Sequence, residues 1–518
     1  LALSLFPKFL ILVCVVVFLA PLFALWVEGS QALLSDTLTV SPALLFSYGK
    51  NSIALMLGSV AGALAFGGVA AYLCARFEFP GRRILQWSAV LPLGVPSYLV
   101  AYTWVDFLID SGVPGGALRN LPLTCLIFAL SLSPYVFLPV YAALVSLSGS
   151  LVESARLLGR SRAAILWQVE IPLVRPALFA GALLAAMEVL ADFGTVDFMA
   201  IDTWSTGIYR SWFGYGDRAR ASLLALVLLL FSLVFISLES HLRRRGSLAR
   251  TGRNMSDLVR TRLSFAKALP LVALSGIPVM FACILPLLIL IQRSLATFEI
   301  EQWRGVVQPA WMTLSLALGA SAIVVFFGFL FAFVLQLRAG RFWNAMIRLA
   351  TLGYALPGGV IGIGLLILLA PFSLSGSLVG LVFAYCIRFV TLGTSTIEAG
   401  WLQVPRVYQE QARILGCSAF AVVRRVSIPL LRRSIACAFI LACIDIVKEL
   451  PASMLLRPFN FETLAIRTYN LASDERLSET APASLLMIVL CVAGVFLAQS
   501  LGAFGISENK PASKNHEH

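Results

Sequence analysis

Charge is what this sequence has least of. Of its 518 residues only 13% are Asp, Glu, Lys or Arg, about half the share of an average soluble domain. Histidine occurs three times, at His241, His516 and His518, all outside the apolar runs, so a histidine metal centre is excluded. The nine cysteines form no C-x-x-C pair, which removes the common zinc and iron–sulfur spacings. Cys14, Cys74, Cys125, Cys283, Cys386, Cys437, Cys443 and Cys491 lie inside apolar runs and read as small buried hydrophobes. There is no H-E-x-x-H and no G-x-S-x-G, the signatures of two large hydrolase classes. A phosphate loop is also missing: the Gly49–Lys50 pair has Leu44 where the first glycine belongs and Asn51 where a hydroxyl belongs. What is abundant is apolar surface, with 59% hydrophobic residues and a mean hydropathy of +0.90. Water-soluble cores cannot hide that much, which excludes a disordered chain, a disulfide-stapled secreted protein and an ordinary soluble enzyme.

A spanning helix needs about 20 mainly apolar residues. Such runs are expected at 5–26, 52–74, 84–108, 121–147, 174–200, 220–239, 269–292, 312–336, 344–370, 375–400, 432–456 and 482–504. The first is long enough to be a retained helix rather than a signal peptide. The runs at 84–108 and 344–370 are the least regular, interrupted by Pro92, Pro96, Pro357 and a Gly358–Gly364 cluster. The net charge of +13 is a topology signal: Lys and Arg collect in cytoplasmic loops. From His241 to Lys267 there are eight basic residues against Asp257 alone. Placing this linker and the basic loops around Arg76–Arg83, Arg156–Arg162, Arg338–Arg341 and Arg406–Arg425 inside puts both termini inside as well. Nucleic acid is not needed to explain the charge.

An internal repeat organises the runs. Residues 153–173 and 410–430 share eleven of 21 positions at a constant offset of 257. Each copy follows the fourth run of its half, and six runs per half give the halves the same orientation. The expected fold is an all-α membrane protein of about 12 transmembrane helices in two parallel-repeated six-helix halves. Its parts are a first unit at 1–240, a basic cytoplasmic linker at 241–268, a second unit at 269–505 and a cytoplasmic tail at 506–518.

Each repeated loop reads as two short helices around a tight turn. Gly159 and Gly416 suit a left-handed C′ position, Ser161 and Ser418 an N-cap, and Pro172 and Pro429 the start of the next run. Ala155 and Ala412 put a second small residue on the same helical face as the glycine, where another protein can approach. The pattern E-x-A-x-x-x-G, eleven residues, then Ile-Pro resembles the EAA loop of ABC-importer permeases. It is carried by Glu153, Ala155, Gly159, Ile171 and Pro172, and again by Glu410, Ala412, Gly416, Ile428 and Pro429. The resemblance covers nearly the whole chain. Two units fused in one chain, with the stretches at 187–218 and 444–476, are similar to the ferric-iron permease family and less so to the thiamine permeases.

The resemblance implies a transport permease and not an enzyme. It would carry iron(III) across a bacterial inner membrane, with no cofactor bound by this chain. ATP and Mg would sit on two copies of a separate ATPase subunit gripping the two loops, and a soluble binding protein would deliver cargo from outside. The alternatives are the same architecture importing thiamine, a polyamine or another small solute, or an ion-gradient-driven secondary transporter, which would need no matched docking loops.

Ionisable residues inside spans are costly and are functional candidates by default. Glu188 and Asp192 lie four apart on the fifth run, and Asp445 and Glu449 match them at offset 257 on the eleventh. Carboxylates suit a hard cation, so these four are candidate lining for the passage, while Lys448 offers local pairing instead. Asp106 reads as a helix-end residue. In the outer loops Thr206, Arg210 and Asp217 align with Thr463, Arg467 and Asp474. Arg210, Asp217, Arg467 and Asp474 are candidate contacts for the binding protein, or Arg–Asp pairs that brace each loop.

Overall fold

The computed structural model describes residues 5–34, 41–147, 149–246, 260–296, 300–337 and 340–502. The tail at 506–518 and most of the basic linker therefore lie outside the described residues. Among the described residues the fold is helical throughout, apart from a pair of two-residue strands.

The first half opens with α1 (Leu5–Leu34) and α2 (Pro42–Arg76). A bent segment follows, made of α3 (Arg82–Ser88), a 3-10 turn at Leu91–Gly94 and α4 (Ser97–Asp110). Next come α5 (Gly115–Leu118) and α6 (Leu121–Ser146). The first repeat loop is α7 (Gly149–Leu157) and α8 (Arg162–Ile165), leading into α9 (Ile171–Ala191). The half closes with α10 (Gly194–Phe198), α11 (Trp204–Tyr209) and α12 (Arg218–Gly246).

The second half repeats the order. Its first span is α13 (Phe265–Val279) joined to α14 (Leu285–Ala296). Then come α15 (Ile300–Gln336), the bent pair α16 (Arg341–Ala350) and α17 (Gly358–Leu369), and α18 (Leu378–Gln403). The second repeat loop is α19 (Arg406–Ile414) and α20 (Ala419–Val422), leading into α21 (Ile428–Val447). The chain continues through α22 (Pro451–Leu456), α23 (Leu464–Ser473) and α24 (Leu477–Ser500).

Among the described residues nine helices are long and apolar enough to cross a membrane, and two bent pairs raise the number to 11. The bends are 92° between Arg82–Gly94 and Ser97–Asp110, and 112° between Arg341–Ala355 and Gly358–Phe372. They fall on the two irregular runs. Pro96 and Pro357 stand immediately before α4 and α17 in extended backbone, and a proline there removes an amide donor and disfavours helix in the residue before it. The one expected span left over, the eleventh run at 432–456, is α21. It occupies the place of α9, 257 residues on, but Arg432, Arg433 and Asp445 make it too charged to stand as an apolar span by itself.

The halves exchange their first helices. α1 packs against α12 of its own half and against α16 and α17 of the other, while α13 and α14 pack against α2, α4 and α6. Within each half the core is the equivalent trio α2–α6–α9 and α15–α18–α21. Small residues bring these helices close. A Cβ on Gly58 would lie 2.7 Å from Cys125 Sγ, and one on Gly62 2.5 Å from Ala129 Cβ, the close approach expected of G-x-x-x-G in a membrane. The strand pair joins Phe77–Glu78, just after α2, to Thr261–Arg262 at the linker's end. Arg156 Nη2 of α7 also reaches Thr261 Oγ1 at 3.5 Å. The end of the linker therefore lies on the same face as the first repeat loop.

Candidate functional site

The two repeat loops have the same local geometry. Gly159 (φ +75°) and Gly416 (φ +84°) are left-handed. Arg160 N bonds Ala155 O at 3.1 Å and Gly159 N bonds Arg156 O at 2.9 Å; Cys417 N bonds Ala412 O and Gly416 N bonds Arg413 O, both at 3.0 Å. This double closure is the Schellman motif, and it makes Ala155 and Ala412 the residues whose carbonyls receive the outer bond. Ser161 and Ser418 then cap the next helix, accepting from Ala164 N at 3.2 Å and Ala421 N at 3.3 Å. Glu153 and Glu410 are exposed on the first helix of each loop.

Two details depart from the sequence reading. Pro172 and Pro429 do not separate the loop from the next span. A π turn at Leu166–Glu170, and its twin at Val423–Ser427, carries the helix continuously into α9 and α21 at Ile171 and Ile428. The wider turn absorbs the amide that proline lacks. The sequence reading also missed four side chains. Leu157 and Leu158 are 89% and 80% exposed, and their repeat partners Ile414 and Leu415 are 84% and 82% exposed. Two matched aliphatic pairs thus stand bare at equivalent places on the two loops. Their repetition at offset 257 was the available signal.

The four intramembrane acids meet in one cavity of about 90 Å³ between the halves. The cavity is lined from the first half by the break at Pro92–Tyr98, by Tyr135 and by Glu188 and Asp192, and from the second by Tyr354, Arg388, Asp445, Lys448 and Glu449. Three of the acids are engaged. Asp192 accepts from Thr195 N at 2.7 Å, Thr195 Oγ1 at 2.9 Å and Ser97 Oγ at 2.8 Å. Its repeat partner Glu449 accepts from Ala452 N at 2.9 Å, Ser453 N at 3.0 Å and Ser453 Oγ at 2.6 Å, and pairs with Arg388 Nη1 at 3.1 Å. Each thus supplies acceptors to the free amides that open the short helix after its span, α10 and α22. Asp445 pairs with Lys448 at 2.9 Å, and Lys448 Nζ also donates to Leu93 O of the opposite half at 3.2 Å.

The Glu188 carboxylate has no hydrogen bond or ion pair among the described residues. The Tyr135 and Tyr354 hydroxyls lie 3.5 Å apart across the interface. Arg388 was also missed, although the rule that flagged the acids applies to any charge inside a span, and 131, its repeat position, is a serine.

The outer loops are rearranged relative to expectation. Arg210 pairs with Asp202, and Arg467 pairs with Glu462 at 3.2 Å. Asp217 accepts from Arg220 N at 2.9 Å at the start of α12, and Asp474 ends α23. The capping threonines are Thr203 and Thr463, at the starts of α11 and α23, so the alignment of Thr206 with Thr463 is displaced by three residues. The second half has three more residues between its buried acid and the cap. Glu462, the neighbour of Thr463, also holds Asn470 Nδ2 at 3.3 Å, just as Asp202 beside Thr203 holds Arg210. Asp106, read as a helix-end residue, pairs with Arg293 of α14 at 2.9 Å, and Asp110 holds the same guanidinium, tying the halves together. No group of three or more His, Cys, Asp or Glu side chains is placed to hold a metal among the described residues.

Residues 63–248, which span α9, the first repeat loop and most of the first half's core, match the family described as binding-protein-dependent transport system inner membrane component. Over that stretch the chain is similar to the inner-membrane permeases of ABC importers. The chain is 25% identical over 456 residues to the Fe(3+)-transport system permease protein FbpB 2 of Haemophilus influenzae, covering 86% of this chain and 88% of that protein. It is 29% identical over 256 residues to the sulfate transport system permease protein CysT of Salmonella typhimurium, covering 46% of this chain and 91% of that protein. It is 25% identical over 205 residues to a 2-aminoethylphosphonate transport system permease protein, PhnU, described as putative, of Salmonella paratyphi A, covering 36% of this chain and 71% of that one. At these identities the similarity reaches the permease family and not one cargo. The matching family consists of inner membrane components of binding-protein-dependent transport systems, and the long apolar helices here suit a multi-pass membrane protein.

Proposed function

We propose that this permease imports iron(III), driven by two ATPase subunits seated on the loops Glu153–Pro172 and Glu410–Pro429. The observation that carries the cargo is the charge of the central cavity. Four carboxylates face two cations there, a formal excess of two negative charges, and carboxylate and phenol oxygens suit a hard cation. A passage for sulfate or a phosphonate calls for the opposite balance. Glu188 and the Tyr135–Tyr354 pair are the groups free to meet cargo in transit. The engaged acids hold the walls, and weak, shared contacts let an ion leave as readily as it arrives.

Coupling rests on the paired loops. Leu157, Leu158, Ile414 and Leu415 offer two equivalent apolar knobs to two copies of one partner. Because both loops belong to one chain, one chain supplies the whole path. Closure of the ATPase dimer would draw the loops together and tilt the halves as rigid bodies. Arg210 with Asp202, Arg467 with Glu462, and Asp217 and Asp474 form the charged outer rim for a two-lobed binding protein.

The test is uptake into vesicles that hold the permease, its ATPase and ATP, with the binding protein outside. Labelled iron(III) should accumulate, and excess sulfate or thiamine should not compete. Accumulation of sulfate or thiamine in place of iron would refute the cargo.

A further inference from the structure

A second cavity, of about 40 Å³, lies where the first coupling loop meets the end of α2 and the linker strand. Its polar lining is Tyr72, Arg76, Arg156, Arg162, Glu170 and Thr261. Three guanidiniums against one carboxylate leave two positive charges, and that carboxylate is already taken: Glu170 Oε1 sits 2.5 Å from Arg76 Nε. Arg76 is only 8% exposed, yet its Nη1 and Nη2 have no hydrogen-bond partner among the described residues. Among the described residues the Arg162 guanidinium makes no hydrogen bond or ion pair, and the Arg156 guanidinium reaches only Thr261 Oγ1 at 3.5 Å. Buried guanidinium donors left unmet are costly. The space is roughly three times what a single water needs by this measure.

The repeat shows that this is not a general requirement of the loop. At offset 257 Arg156 is kept as Arg413, but Arg162 becomes Ala419 and Glu170 becomes Ser427. The second loop therefore lacks the Arg162–Glu170 part of this cluster at the matching positions.

We infer that this cavity binds a phosphate-type oxyanion, either free inorganic phosphate or the phosphodiester of an anionic lipid headgroup. Forked guanidiniums match such oxygens. The bound anion would tie α7 and α8 to α2 and to the linker strand, setting the stiffness of one coupling loop and not the other.

The experiment uses the full chain in phosphatidylcholine nanodiscs and follows its melting midpoint. Millimolar inorganic phosphate should raise the midpoint by a few degrees. Alternatively, exchange of part of the lipid for phosphatidylglycerol should raise it while phosphate does not, which assigns the site to lipid. In either arm R156A/R162A should abolish the rise, since both side chains are exposed and their loss leaves the core intact, whereas R413A in the second loop should preserve it. No rise with either probe, or a rise that survives R156A/R162A, overturns the proposal.

Discussion

At the residue scale the four acids of the cavity divide into wall and passage. Glu449 is almost fully enclosed and meets an arginine, two amides and a hydroxyl. Glu449→Ala leaves Arg388 buried without its counter-charge, which costs about 3–5 kcal/mol, so the purified permease should melt markedly earlier. Glu188 has no such partner. Glu188→Gln should leave the melting midpoint unchanged and lower iron uptake severalfold, a split between stability and transport that a merely structural carboxylate would not give. Lys448→Met should fall between them, because it frees Asp445 and also cuts the Lys448–Leu93 link across the halves. Sequence alone found the four acids by position and charge. It did not reveal Arg388 as Glu449's partner or Tyr135 and Tyr354 as neighbours, because those contacts join residues 61 and 219 apart through a fold that periodicity does not specify.

At the element scale the repeat loops were the most legible feature. Gly159 and Gly416, Ser161 and Ser418 obey short-range rules, in which a left-handed glycine ends one helix and a hydroxyl starts the next, so spacing sufficed. The π turns before Ile171 and Ile428 were not legible, since a proline near a helix start gives the same sequence signal whether the helix begins there or bulges past it. Valine at Gly159 or Gly416 should cost about 1–2 kcal/mol of local strain, though a Cβ at either site meets nothing within 4 Å; pull-down of the ATPase should weaken while expression holds. The stricter test of the same surface is Leu157→Ser with Leu158→Ser, combined with Ile414→Ser and Leu415→Ser. Each exposed change should alter stability by no more than about 0.5 kcal/mol, yet ATPase copurification should be lost. In the outer loops the expected register was off by three residues, because loop length, unlike a helical face, is free to differ between repeats.

At the scale of the whole molecule, the halves are held by exchanged first helices, by Arg293 between Asp106 and Asp110, and by Tyr469 bonded to Asp197 at 2.7 Å. The halving was readable from the 257-residue offset, and the bends from Pro96 and Pro357. The exchange of α1 and α13–α14 was not, because the apolar surfaces of these helices do not announce their neighbours. A protease site placed near Arg253 in the linker should therefore leave two fragments that copurify after cleavage, as size-exclusion chromatography would report. The most direct measurement of the central claim is ATP-driven uptake of labelled iron(III) by vesicles carrying the permease, its ATPase and its binding protein, with the four-residue loop variant in parallel. Intact permease should accumulate iron only with ATP, and the variant should accumulate none. Equal iron uptake by the variant, or uptake with no ATPase present, would contradict the account.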